Sequence, residues 1–358
     1  MPTKSVNRFA RPRLSFALPF TVAVAFALAA IIPKLYSAAR AAAPDSPMFR
    51  LPIACTLGTD CWLVNLMDTD SGPGVRDFRC TTHSYDGHKG TDIAIRDLAA
   101  MRAGVPVLAA AAGTVQGVRD GMADVDVSIA GRGSVKGREC GNGLVIRHAM
   151  GWETQYCHLR RGSLAVKPGQ RVAAGQRLGL VGHSGLAQFP HVHLSVRHAG
   201  KPIDPFTGRA ASVPSEKFCG SPGRPLWAEP HRAQLNAGET AVYNAGLAGG
   251  RPDKRDIRAG RQDATPLTAT APALVIWTDI YWVHEGDELT LSISGPEDNI
   301  VRTLMLPKTQ ARLFFFVGKK RKRKRWAAGN YKAEIALKRR GADGGVKTFS
   351  AAREVTVE

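Results

Sequence analysis

Two histidines one residue apart, His191 and His193 in HVHLSV, are the residues of this chain best placed to do chemistry. In an extended strand, side chains at i and i+2 share a face, so both imidazoles open into the same space. One can then hold a metal ion while the other meets whatever the ion holds. A H-x-H pair in an apolar strand can equally be structural, so the reading needs further ligands. The segment HKGTDIAI offers His88 and Asp92. Four residues apart, these would share a face on a helix, but Gly90 between them and the β-branched run that follows indicate strand or loop. A straight strand would hold their Cα atoms on the order of 13 Å apart, too far for one ion. Gly90 is therefore expected to let the backbone bend. Imidazole and carboxylate suit zinc, and three protein ligands leave a fourth position for water, the composition of a catalytic site rather than a structural one. His158 in TQYCHLRR is a fifth candidate, and Tyr85, three residues before His88, either packs against the site or donates a hydrogen bond to a developing oxyanion.

The elements that must position these residues are short. From His88 onward, β-branched runs are separated by glycines (GTVQGV, VDVSIAG, GLVIRHAMG, RVAAGQRLGLVG), which reads as an antiparallel all-β unit with tight turns and not as βαβ. Only DLAAMRAG has the look of a helical turn or two. Before it, Pro44 to Cys80 is a lead-in with one strand, CWLVNLMD, and a turn-rich loop, DTDSGPGVRD, whose acidic spacing lacks the closing glutamate of a calcium loop.

The series HKGTD, AAAAGTV, GNGLVIRHAMGWETQYCHL, VKPGQRVAAGQRLGLVGHSG and HVHLSV, from near His83 to Pro205, resembles the lysostaphin-like (LytM-type) zinc metalloendopeptidases, a family of peptidoglycan hydrolases. The resemblance implies a small β-sheet peptidase module with its metal in an open groove. It implies His88, Asp92 and His193 as zinc ligands and His158 and His191 as catalytic histidines that do not bind the metal. The implied reaction is hydrolysis of a peptide bond in the stem or cross-bridge of peptidoglycan by metal-activated water, with the division of labour between His158 and His191 open. The chain departs from the common family pattern after His193 and at His183 in the loop. Two other function classes compete. GHSGL suggests a serine hydrolase, but a nucleophile elbow needs glycine where Leu186 stands. A non-catalytic wall-binding or activator protein with a retained metal site is the other.

Residues 1–43 have the layout of an export signal or membrane anchor: Lys4, Arg8, Arg11 and Arg13, an apolar run from Leu14 to Ile32, then small residues ending at Ala43. Either places the remainder outside the cytoplasm, in the periplasm or cell envelope. The six cysteines then imply three disulfides, with Cys140 and Cys157, on the two arms of a hairpin, the favoured pair. The peptidase domain with its lead-in is expected over 44–208 and a Gly/Pro-rich linker over 209–272. Strands return over 273–358, as a C-terminal immunoglobulin-like β-sandwich without a catalytic cluster. A formal charge of +19 and the run KKRKRKR, Lys319 to Arg325, favour anionic envelope polymers or a membrane surface as partners, or a solvated loop. The export signal argues against nucleic acid.

Overall fold

Among residues 46–211, 223–229, 231–236, 239–261 and 267–358, which the computed structural model describes, antiparallel strands dominate. The expected export segment lies outside these residues. The N-terminal module contributes β1 (Cys61–Asn65), β2 (Thr91–Ile95), β3 (Pro106–Leu108), β4 (Gly113–Arg119), β5 (Asn142–Arg147), β6 (Trp152–Leu159), β7 (Arg171–Val172), β8 (Arg177–Leu180), β9 (His191–His198), β10 (Lys201–Asp204) and β11 (Arg209–Ala210). The main sheet runs β1-β2-β9-β6-β5-β4-β7, with β10 on β9 and β11 on β10, while β3 and β8 pair apart.

The strand β9 shows why the sequence settles into this arrangement. Val192, Leu194 and Val196 are at most 1% exposed in the hydrophobic core beneath the sheet, so His191, His193 and Ser195 take the other face. Burying each such side chain is worth about 1.5–3 kcal/mol. A one-residue slip would drive the imidazoles into the core, so the register is fixed. The pairs Asp92 with His193 and Ala94 with His191 bring β2 alongside, and Cys157 opposite His193 brings β6.

Two expectations meet a different outcome. VDVSIAG is not a strand: Val127–Ala130 is one helical turn, capped by Asp126, whose carboxylate accepts from Ser128 N at 2.8 Å, and closed by Gly131 at φ 83°. Local capping overrides the alternation there. The segment 209–272, read as a Gly/Pro-rich linker with one candidate strand in TAVYNAGLAGG, contributes Leu226 and Trp227 to the core of the N-terminal module, and that strand, β12 (Ala241–Ala248), joins the C-terminal sheets. Trp227, fully buried, packs edge-on against Phe49 and Phe206.

The C-terminal region adds β13 (Ala273–Val283), β14 (Glu288–Ser294), β15 (Asn299–Met305), β16 (Gln310–Lys320), β17 (Gly329–Arg340) and β18 (Val346–Val357). These form a sheet β12-β13-β16 and a sheet β15-β14-β17-β18 around a shared core that includes Leu274, Ile276, Leu291 and Ile335. β13 is buried on both faces: on its other side Val275 and Trp277 meet Ala248 and Ile257, and Tyr281 and Trp282 pack, with Tyr243, on Trp62, Val64 and Ala94 of the N-terminal module. Cys55 is bonded to Cys61 and Cys140 to Cys157, the expected hairpin pair, and Cys80 is also in a disulfide.

Candidate metal centre

His88, Asp92 and His193 converge. Asp92 Oδ1 lies 3.2 Å from His88 Nε2 and 2.8 Å from His193 Nδ1, and the two imidazole nitrogens are 3.1 Å apart. The expected bend occurs at Gly90, just before β2, and lets His88 fold back over Asp92. Gly90 has a second reason to lack a side chain, because a Cβ there would sit 2.6 Å from the His193 ring and 2.7 Å from Leu194 O.

The partners of the outer atoms decide which lone pairs face inward. His88 donates Nδ1–H to Leu66 O at 2.6 Å, leaving Nε2 unprotonated. Ser195 Oγ, 2.8 Å away, takes the Nε2–H of His193, which frees Nδ1. Asn65 donates to Asp92 Oδ2 at 2.8 Å, so Oδ1 turns to the centre. Three acceptors then face one another at 2.8–3.2 Å, close to the ~3.3 Å edge of a tetrahedron with ~2.0 Å bonds. Such a triangle demands a positive charge at its middle, a proton or a metal ion. The residues therefore fit a divalent cation with nitrogen and oxygen ligands. Electrostatics agree. Burial works to raise the Asp92 pKa, but the adjoining His88, His191 and His193 outweigh it and hold the carboxyl well below its usual range.

His158 and His191 flank this triangle, their rings 4.6 Å apart. Each gives its Nδ1–H to a main-chain carbonyl, His158 to Ser184 O at 2.7 Å and His191 to Phe189 O at 2.8 Å. Both Nε2 atoms are thereby left as bases, and that of His191 is 3.7 Å from Asp92 Oδ1. Burial, with the neighbouring imidazoles, pushes the pKa of His158 well below that of a free histidine. Burial lowers that of His191 as well. The backbone of His158 is left-handed, φ 63°, where β5 and β6 slip register. Such a conformation costs on the order of 1–3 kcal/mol and marks a position held for use. The Cys140–Cys157 disulfide and the bond from His158 N to Cys140 O, 2.8 Å, hold it. Tyr85 stands against His88, ring centroids 4.4 Å apart.

The other expected chemistries dissolve. Ser184 is fully buried, its hydroxyl donating to Leu159 O and accepting from Asn142 N, so it is no nucleophile. Asp68, in the acidic loop, caps main-chain amides of Asp70, Arg76 and Gly87. Cys55 and Cys61, which with Asp60 have metal-like spacing, are consumed by their disulfide. Sequence reasoning missed Asn65, Ser195 and the Phe189 carbonyl. Ser195 alone had a signal, sharing the period-2 face of His191 and His193.

Residues 86–205 match the family model described as peptidase family M23. This segment belongs to peptidase family M23. Over 81 residues the M23 region is 37% identical to the peptidoglycan DD-endopeptidase ShyA of Vibrio cholerae, covering 22% of this chain and 18% of that one. Over 125 residues it is 33% identical to the DD-carboxypeptidase/endopeptidase Mpg of Neisseria meningitidis, covering 34% and 23%. These matches thus span about a fifth of the length of the curated relatives. Among solved structures, a zinc containing peptidase from Vibrio cholerae is 26% identical, covering 45% of this chain and 38% of that one, with a TM-score of 0.27.

Proposed function

We propose that the chain is an exported, zinc-dependent endopeptidase that hydrolyses peptide bonds in the stem or cross-bridge of peptidoglycan. The observation that carries this reading is the inward-facing acceptor triangle of His88, Asp92 and His193 beside two further imidazoles with unprotonated Nε2 atoms. Zinc held there supplies a Lewis acid that lowers the pKa of water and polarises a carbonyl. The protein's own groups do the rest. His158 and His191 are neutral near pH 7, so either Nε2 can accept the proton released as water attacks. Once protonated, the same nitrogen can donate to the oxyanion or pass its proton to the leaving amine. The hydroxyl of half-exposed Tyr85 stays protonated near pH 7, its pKa raised by partial burial and by the Asp92 charge, and it is available as an oxyanion donor.

The paired cysteines support export to an oxidising compartment, periplasm or envelope. The two apposed C-terminal sheets support an immunoglobulin-like sandwich with a binding role. In the basic run at the end of β16 and the loop after it, Lys319 pairs with Asp298 and Arg323 with Glu297. Lys320, Lys322, Lys324 and Arg325 have no carboxylate partner among the described residues, which supports contact with anionic envelope polymers. Metal analysis of purified protein is expected to find one zinc per chain, lost in His88→Ala. Mass spectrometry of muropeptides released from isolated wall is expected to identify the cleaved bond. Wall left intact by the zinc-loaded protein would return the chain to the class of non-catalytic binders.

A further inference from the structure

A cleft of about 1000 Å³ runs from Asp92 and His191 past Phe189 to Phe314, Phe316, Arg251 and Lys254. Its inner end is the metal centre and its outer wall is the C-terminal sheet. The sequence of β16, ARLFFFVG, explains that wall. Leu313, Phe315 and Val317 point into the C-terminal core, so Arg312, Phe314 and Phe316 must point the other way. There Phe314 and Phe316 lie against the small cluster of Val275 and Trp277. Their rings, 6.2 Å apart, remain partly open to the cleft.

The charges of this wall are unequally spent. Arg258 and Arg312 are bound to Asp279, at 2.7 and 3.3 Å. Two of the cleft's carboxylates serve helix starts: Asp126 accepts from Ser128 N, and Asp253 from Arg255 N and Asp256 N. Arg251 lies 5.7 Å over the Phe316 ring. Arg251 and Lys254 are both exposed, with no carboxylate partner among the described residues. The wall is held at a set distance from the metal centre by the packing of Trp62 and Val64 on Tyr281 and Trp282, and by a hydrogen bond from Trp282 Nε1 to Val64 O.

We propose that this wall is a substrate subsite, in which Phe314 and Phe316 cover the aliphatic parts of an anionic stem peptide while Arg251 and Lys254 pair with its free carboxylates. The inference rests on the endopeptidase reading for the identity of the peptide, and its test separates the two. Two soluble stem peptides are compared, one with free side-chain carboxylates and one with the same groups amidated. Their binding to the full-length, zinc-loaded protein is measured by calorimetry, and their hydrolysis is followed separately. The free-acid peptide is expected to bind about tenfold more tightly, with an advantage that shrinks as salt is added. Replacing Arg251 and Lys254 together by Ala is expected to erase that advantage, with the loss in hydrolysis falling on KM. Phe314→Ala is expected to weaken binding of both peptides. Equal binding of the two peptides by wild type, or an undiminished preference in the Arg251→Ala, Lys254→Ala protein, overturns the subsite. Charge-dependent binding without any hydrolysis would overturn the endopeptidase reading and leave the subsite standing.

Discussion

At the scale of single residues, the most informative contrast is between His191 and His193, two positions apart on one strand with different partners. His193 turns Nδ1 onto Asp92 at 2.8 Å, while Nε2 of His191 is 3.7 Å from that carboxylate. His193→Ala is therefore expected to lose zinc and hydrolysis together, because two ligands bind a metal too weakly. His191→Ala is expected to keep its zinc and lose rate by about 100-fold to 10,000-fold, the usual worth of a general acid or base. Zinc content and hydrolysis rate measured on both variants decide it, and a metal-free His191→Ala would exchange the two roles. Residue types and spacing marked these five groups as candidates in the sequence, and the family resemblance supplied the expected division into ligands and catalytic histidines. What could not be read there is what aims them. Asn65 and the carbonyls of Leu66 and Ser184 are set by chain crossings that no local pattern encodes, and the carbonyl of Phe189, only two residues from His191, is aimed by the bend that enters β9. Gly90 was legible as a bend but not as the space the His193 ring occupies.

At the scale of elements, period-2 alternation found longer strands with one face on a core, as in β9. It failed at Val127–Ala130, where Asp126 and Gly131 cap a helical turn whatever the side chains alternate with. The hairpin of β5 and β6 was legible down to its disulfide, because two cysteines at the open ends of paired arms are held within reach. That bridge closes a separation of 17 residues, and a loop of such a size is worth roughly 3 kcal/mol of unfolded-state entropy. It also carries the strained His158. Replacing Cys140 and Cys157 together by Ser is thus expected to cost about that stability in urea unfolding and, in addition, to lower hydrolysis at temperatures where the variant is fully folded. A variant destabilised but fully active would show that Ser184 O alone suffices to aim the His158 ring.

At the scale of the whole molecule, the junction of the peptidase module with the C-terminal sheets was the least legible feature, since Trp62, Tyr243 and Trp282 lie far apart in the chain and each reads alone as ordinary core. Buried in that junction, His83 stacks on Trp282, ring centroids 4.7 Å apart, with its Nε2 2.9 Å from that of His284. Burial, helped by His284, Arg79 and Arg339, lowers its pKa to about 3. The unfolded chain binds a proton there near the ordinary value of about 6.5, while the native state stays neutral down to about 3. Between those limits the unfolded state holds more protons, so native stability falls as pH falls, by up to about 1.4 kcal/mol per pH unit from this one group. Below about 3 the native state is protonated as well, and this contribution levels off. Burial also lowers the pKa of His183, to about 4, and that of His284, so the diagnostic quantity is a difference between two proteins. In zinc-loaded protein, His83→Gln removes one titrating group and keeps a hydrogen-bonding side chain opposite His284. Its urea-unfolding free energy is expected to fall less steeply than that of wild type as pH is lowered from 6.5 to 4. The two slopes should coincide above pH 7.5, where His83 is neutral folded or unfolded. Parallel slopes across the acid range would mean that acid opens the junction before the rest unfolds, exposing His83 to water at no cost to the remainder.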